Sequence, residues 1–103
     1  FKILGNMESV NYSRLVIYID NSSDIYLITE WLFNSLAKKI RKGLVPSVEH
    51  LANCSSMRKI IGMAAKMVAK YDGGKVTTEE RKEAAKVHAQ YIIECAEYIA
   101  KDN

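Results

Sequence analysis

The sequence predicts a small all-α domain, on the evidence of its size, its apolar content and the spacing of its apolar residues. The 103 residues suit one compact domain, and 49% of them are hydrophobic, which is enough to form one core. Apolar side chains recur three and four residues apart over most of the chain, as they do on one face of a helix. Turn and cap residues divide this pattern into three main helices, over residues 24–42, 47–72 and 78–101. We therefore expect a helical bundle that forms one domain over residues 1–103.

The first main helix is predicted to begin after the cap candidates Asn21-Ser22-Ser23 and to end at Gly43, with Pro46 preventing its continuation. One of its faces is predicted to consist of Ile25, Ile28, Leu32, Leu36 and Ile40. Leu27 and Trp31 lie on the other side. Since this helix is apolar nearly all round, we expect it to be the central one.

The second main helix is predicted to start at Val48, after a Ser47 cap, and to end at the turn signal Asp72-Gly73-Gly74. The polar run Asn53-Cys54-Ser55-Ser56 leaves a second interpretation open, in which a turn separates two shorter helices.

The last helix is predicted to begin at a capping box, in which Thr77 is followed three residues later by Glu80. With the second helix it is expected to form an αα-hairpin at the carboxyl-terminal end. Its predicted inward residues are Ala84, His88, Tyr91, Ile92, Cys95 and Ile99.

The amino-terminal part allows either a strand or a helix. Leu15 to Ile19 is rich in β-branched residues, but Tyr12, Leu15, Val16 and Ile19 also fit one helical face. We favour a short helix over about residues 9–19, packed on Leu27 and Trp31. Because the chain begins with Phe1 and its first methionine is Met7, we expect residues 1–6 to be expression-derived or disordered.

The positive charge is concentrated in the middle of the chain. Residues 38–75 carry nine basic residues against Glu49 and Asp72, whereas the net charge of the whole chain is only +3. A segregated basic region is typical of proteins that bind polyanions.

Part of this charge forms a candidate nucleic-acid stripe on the middle helix, in which Lys59, Lys66 and Lys70 share one face. Arg58 lies beside Lys59, and the four side chains are predicted to contact phosphates. A solvated helix face is the alternative explanation of the stripe. If the chain turns at residues 54–56, the segment also resembles a helix-turn-helix with Arg58 and Lys59 near the start of its second helix.

A protein-interaction module is the alternative function, as a small inhibitor, an adaptor or an accessory protein of a mobile element. Ala89 and Ile93 lie on a second apolar strip of the last helix, and Met63 lies among the lysines of the stripe. We expect these three residues to contact a protein partner or a second copy in a homodimer.

No catalytic or cofactor motif is recognisable in the sequence, so we expect a non-enzymatic regulatory protein with no cofactor. His50, Cys54, His88 and Cys95 would be compatible with zinc, but their spacing is unlike that of known zinc sites, and we expect no metal. Equal rise along the two helices of a hairpin would place Cys54 opposite Cys95. The two cysteines would then be either buried thiols or a redox-dependent staple, that is, a disulfide. The same register would place His88 opposite Gly62.

The compartment is predicted from the cysteines and from the length of the apolar runs. Two cysteines suit a reducing compartment, and the longest apolar run has five residues, too few to span a bilayer. We expect a cytoplasmic protein that does not act at a membrane.

Overall fold

A computed structural model describes residues 14–101, and all of the regular structure in that range is helical. The five α-helices are α1 (Arg14–Asn21), α2 (Ser23–Arg41), α3 (Val48–Ala52), α4 (Ser55–Met67) and α5 (Thr78–Lys101). A π-helical turn, Val68–Asp72, extends α4. The predicted all-α class is therefore confirmed, but the count of three main helices with one amino-terminal element is not.

Local caps set the helix boundaries close to the predicted ones. The Ser22 hydroxyl accepts the Ile25 backbone N–H at the start of α2. Gly43 follows the end of α2 with φ 88°, and the Leu44 N–H bonds back to the Lys39 carbonyl, as in a Schellman motif. At the start of α5, Thr77 and Glu80 form the predicted capping box through reciprocal backbone–side-chain hydrogen bonds of 3.0 and 3.1 Å.

The predicted middle helix is broken at Asn53–Cys54, in agreement with the two-helix alternative. Cys54 becomes the N-cap of α4, and its Sγ accepts the Met57 N–H at 3.4 Å. The π-helical turn then ends at Gly73, which has φ 67° and donates its N–H to the Val68 carbonyl.

The predicted amino-terminal helix is present, but the prediction that it packs on Leu27 and Trp31 is wrong. α1 buries Leu15, Val16 and Ile19, three members of the expected face, and it packs mainly against α4 and α5. Leu27 and Trp31 each remain 63% exposed, so α1 does not cover them. Residues 9–13 of the predicted helix and residues 1–6 lie outside the described range.

The central helix is α5, not α2 as predicted. α5 contacts each of the other four α-helices, and both of its apolar strips are buried because it has neighbours on two sides. The strips comprise Ala84, Ala85, His88, Ala89, Ile92, Ile93 and Ala96. α2 runs parallel to α5, since the Thr29–His88 contact precedes the contact of Arg41 with the Ile99 carbonyl along both helices.

Candidate nucleic-acid interface

The four cations of the predicted stripe are all exposed on α4 and its π-helical turn. They are Arg58, Lys59, Lys66 and Lys70. The sequence from Cys54 to Tyr71 contains no carboxylate, and the nearest one, Asp72, ends the π-helical turn and accepts the Tyr18 hydroxyl. We call the surface that these four exposed residues form the α4 basic face.

The burial of α4 decides which way these side chains point. α4 turns Met57, Ile60, Ile61, Ala64 and Ala65 into the core. Lys59 and Lys66 lie on the opposite side, and they are seven residues, or about 10 Å of helix rise, apart. Two lysines held at this separation can contact different phosphates of one nucleic-acid strand.

Among the described residues, the cations of the α4 basic face form no ion pair. Within residues 14–101, the ion pair that forms joins Arg14 to Glu80 at 3.6 Å, at the start of α5. None of the four cations of α4 and its extension takes part in it. Their charge is therefore available to an external anion.

An aromatic pair beside Lys70 was missed by sequence reasoning. The rings of Tyr18 and Tyr71 stack with their centroids 6.1 Å apart, and Lys70 Nζ lies 5.3 Å from the Tyr71 centroid. The Tyr18 hydroxyl donates to Asp72 at 3.2 Å. The two tyrosines are 53 positions apart in the sequence, so no local pattern could have paired them.

The helix-turn-helix alternative agrees with the structure only in part. Two helices do flank a turn, but the turn lies at Asn53–Cys54 and the first helix, Val48–Ala52, has only five residues. Arg58 and Lys59 are in the first turns of α4, as that interpretation requires.

The three residues predicted to contact a protein partner are mostly buried. Ala89 is 0% exposed, Ile93 is 6% exposed, and Met63 is half-buried. The expected surface position of Ala89 and Ile93 is wrong because helices cover α5 on both sides. Ala89 and Ile93 therefore cannot contact a partner while the fold is intact.

His88 is buried with a partner on α2, not against Gly62 as predicted. Its Nε2 and the Thr29 hydroxyl are joined by a hydrogen bond of 2.8 Å, and Tyr91 stacks on its ring. Burial lowers the pKa of His88 from 6.5 to about 4, so the imidazole is neutral at pH 7. A Cβ on Gly62 would meet no atom within 4 Å, so no close approach occurs there.

The four candidate zinc ligands do not assemble. Within residues 14–101, no three His, Cys, Asp or Glu side chains are grouped so that they could hold a metal ion. Cys54 and Cys95 are half-buried free thiols. The redox-dependent staple between them stays a prediction.

Comparison of the chain with family models, with curated proteins and with solved structures found no match. Among the helices of residues 14–101, none has the length and apolar character needed to cross a membrane. Function is therefore inferred from the geometry of the chain itself.

Proposed function

We propose that the protein is a non-enzymatic helical module that binds nucleic acid in a regulatory role, with the α4 basic face as its contact surface. The observation that carries this proposal is the set of four exposed cations that have no carboxylate among them from Cys54 to Tyr71 and form no ion pair within residues 14–101. Phosphates would supply the missing counter-charges, with Arg58, Lys59, Lys66 and Lys70 as the contacts.

The geometry of α4 supports this choice in two ways. First, its apolar face is fixed in the core, so the lysines present their charge from a rigid scaffold. Second, Tyr71 is 65% exposed beside Lys70, and aromatic rings next to cations are typical of surfaces that bind nucleic acids.

The proposal predicts a salt dependence of defined size. Four neutralised phosphates give a slope of log K against log salt of about −3.6, because each contact contributes about −0.9. A fourfold rise in salt, from about 50 to about 200 mM, should then weaken binding about 150-fold. We expect micromolar binding of a random-sequence duplex at the lower salt concentration.

The test is an anisotropy titration of a fluorescently labelled random duplex with the wild type and two charge-reversed variants. Lys59→Glu/Lys66→Glu should abolish binding, because it turns two phosphate contacts into repulsive ones. Lys82→Glu/Lys86→Glu, which changes two exposed lysines of α5 by the same total charge, is the matched control and should bind much better. Circular dichroism of each variant checks the fold. Absence of binding at low salt, or equal losses in the two variants, would refute the proposal.

A protein partner or a second copy is the alternative proposal for this surface. With Ala89 and Ile93 in the core, Met63 is the member of the predicted interface set that can still contact one. Sedimentation equilibrium of the wild type and of Met63→Glu tests the second copy: a homodimer through Met63 should form in the wild type and dissociate in the variant, and a monomeric wild type would rule it out. We also propose a cytoplasmic location, because a chain with two cysteines suits a reducing compartment.

A further inference from the structure

A groove outside the α4 basic face runs between the second half of α2, the loop of residues 42–47, α3 and the start of α4. Its volume is about 440 Å³. Most of its lining is apolar, including Trp31, Leu36, Ile40, Leu44, Val45 and Leu51.

The rim of this groove is unusually exposed for apolar side chains. Val45 is 90% exposed, Trp31 63% and Leu44 56%, and all three line the same groove. Apolar residues that cluster in this way on a small domain mark an interaction site, whereas single ones are ordinary. A small molecule enclosed in the groove would leave Val45 in water, but a longer partner segment lying across the rim would cover it.

Fixed backbone elements hold the groove open. The Schellman motif at Gly43 determines where the loop leaves α2, and the Ser47 hydroxyl accepts the His50 N–H where the loop enters α3. The α2 wall from Trp31 to Ile40 spans nine residues, or about 13 Å. That length matches two to two and a half turns of a docked helix, enough for anchors at positions i, i+4 and i+7.

The charge around the groove selects the partner. From Trp31 to Val48 the chain carries Lys38, Lys39, Arg41 and Lys42 and no carboxylate. Among the residues that the structure describes, Lys39 and His50 line the groove itself and no carboxylate does. Glu30, next to Trp31, and Glu49, next to His50, are the nearest acidic residues in the sequence, and neither lines the groove. An occupant with apolar anchors and acidic flanks would complement both the groove and its rim.

We propose that this groove docks an amphipathic helix with an acidic edge, presented by a protein partner. The apolar anchors would pack between Trp31, Leu44 and Val45, and a carboxylate would meet Lys39. This proposal is independent of nucleic-acid binding, because none of the four cations of the α4 basic face lines the groove.

The test begins with a displayed library of amphipathic helices in which the polar positions are randomised. Selection on the wild-type protein, with counter-selection on Val45→Asp, should enrich helices rich in Asp and Glu beside their apolar anchors. Val45 is nearly fully exposed, so its substitution should leave the fold intact, and circular dichroism checks this. Failure to enrich any helix, or enrichment without acidic residues, would overturn the proposal.

The enriched peptide is then titrated while the fluorescence of Trp31, the single tryptophan of the chain, is recorded. We expect a blue shift, and a loss of affinity of at least tenfold for Lys39→Glu. Lys82→Glu, at an exposed position of α5 that does not line the groove, is the matched control and should bind as the wild type does. Equal losses for the two lysine variants would overturn the proposal. So would a shift of Trp31 emission on anionic vesicles that exceeds the shift on the peptide, because the groove would then be a lipid-binding surface.

Discussion

Replacing His88 by glutamine should remove a defined part of the protein's sensitivity to acid. His88 is 6% exposed, and its ring is held between the Thr29 hydroxyl and the Tyr91 ring. Since burial lowers the pKa of this imidazole, the folded protein resists protonating it, whereas the unfolded chain protonates it at its ordinary pKa of 6.5. Glutamine can still bond to Thr29 but does not titrate.

The size of the effect follows from the two pKa values of His88. One pKa unit corresponds to about 1.4 kcal/mol, and the folded pKa of about 4 lies well below 6.5. Between these two pH values the unfolded state binds more protons than the folded state. The contribution of neutral His88 to the free energy of unfolding is therefore fully present above pH 6.5 and decreases as the pH drops towards 4. The loss should be about 2 kcal/mol at pH 5 and about 3 kcal/mol at pH 4, a large part of the total stability of a small domain.

Urea unfolding followed by circular dichroism at pH 7, 6, 5 and 4 measures this loss. The wild type should lose about 3 kcal/mol more than His88→Gln between pH 7 and pH 4, because the carboxylates titrate alike in both and cancel in the difference. His50→Gln is the matched control, since His50 is exposed and the chain has just these two histidines. A pH profile of His88→Gln parallel to that of the wild type would show that His88 is not buried as a neutral group.

Two further predictions use matched pairs of substitutions, and urea unfolding at pH 7 measures both. Ile93→Ala should lower the free energy of unfolding by about 2–4 kcal/mol, because Ile93 is in the core. Ile17→Ala, at a 54% exposed position of α1, should lower it much less. Similar losses for the two variants would contradict the central position of α5. The second pair uses glycines with opposite expectations. Gly62→Ala should stabilise α4 by up to about 1 kcal/mol, since the new Cβ meets open space in a helix. Gly73→Ala should destabilise by about 1 kcal/mol, since φ there is 67°, and a change of the same sign at both positions would refute this.

The sequence by itself determined the features that depend on neighbours within a few residues. The Thr77–Glu80 capping box, the Ser22 and Ser47 caps and the end of α2 before Gly43 all come from contacts over three to five positions. The exposure of the four cations on α4 was predictable for a similar reason, because the apolar spacing of α4 fixes which side faces outward. These local rules also settled the all-α class.

The tertiary structure alone decided how the helices share their apolar faces. α2 and α5 both have wide apolar surfaces, and nothing in their own patterns says which one the other helices surround. Packing buries both strips of α5, including Ala89 and Ile93, and leaves Trp31 of α2 exposed at the groove. The spacing of apolar residues shows which face of a helix is apolar. Whether that face is buried depends on neighbours that are distant in the chain. For the same reason the groove of this protein became visible only once its helices were assembled.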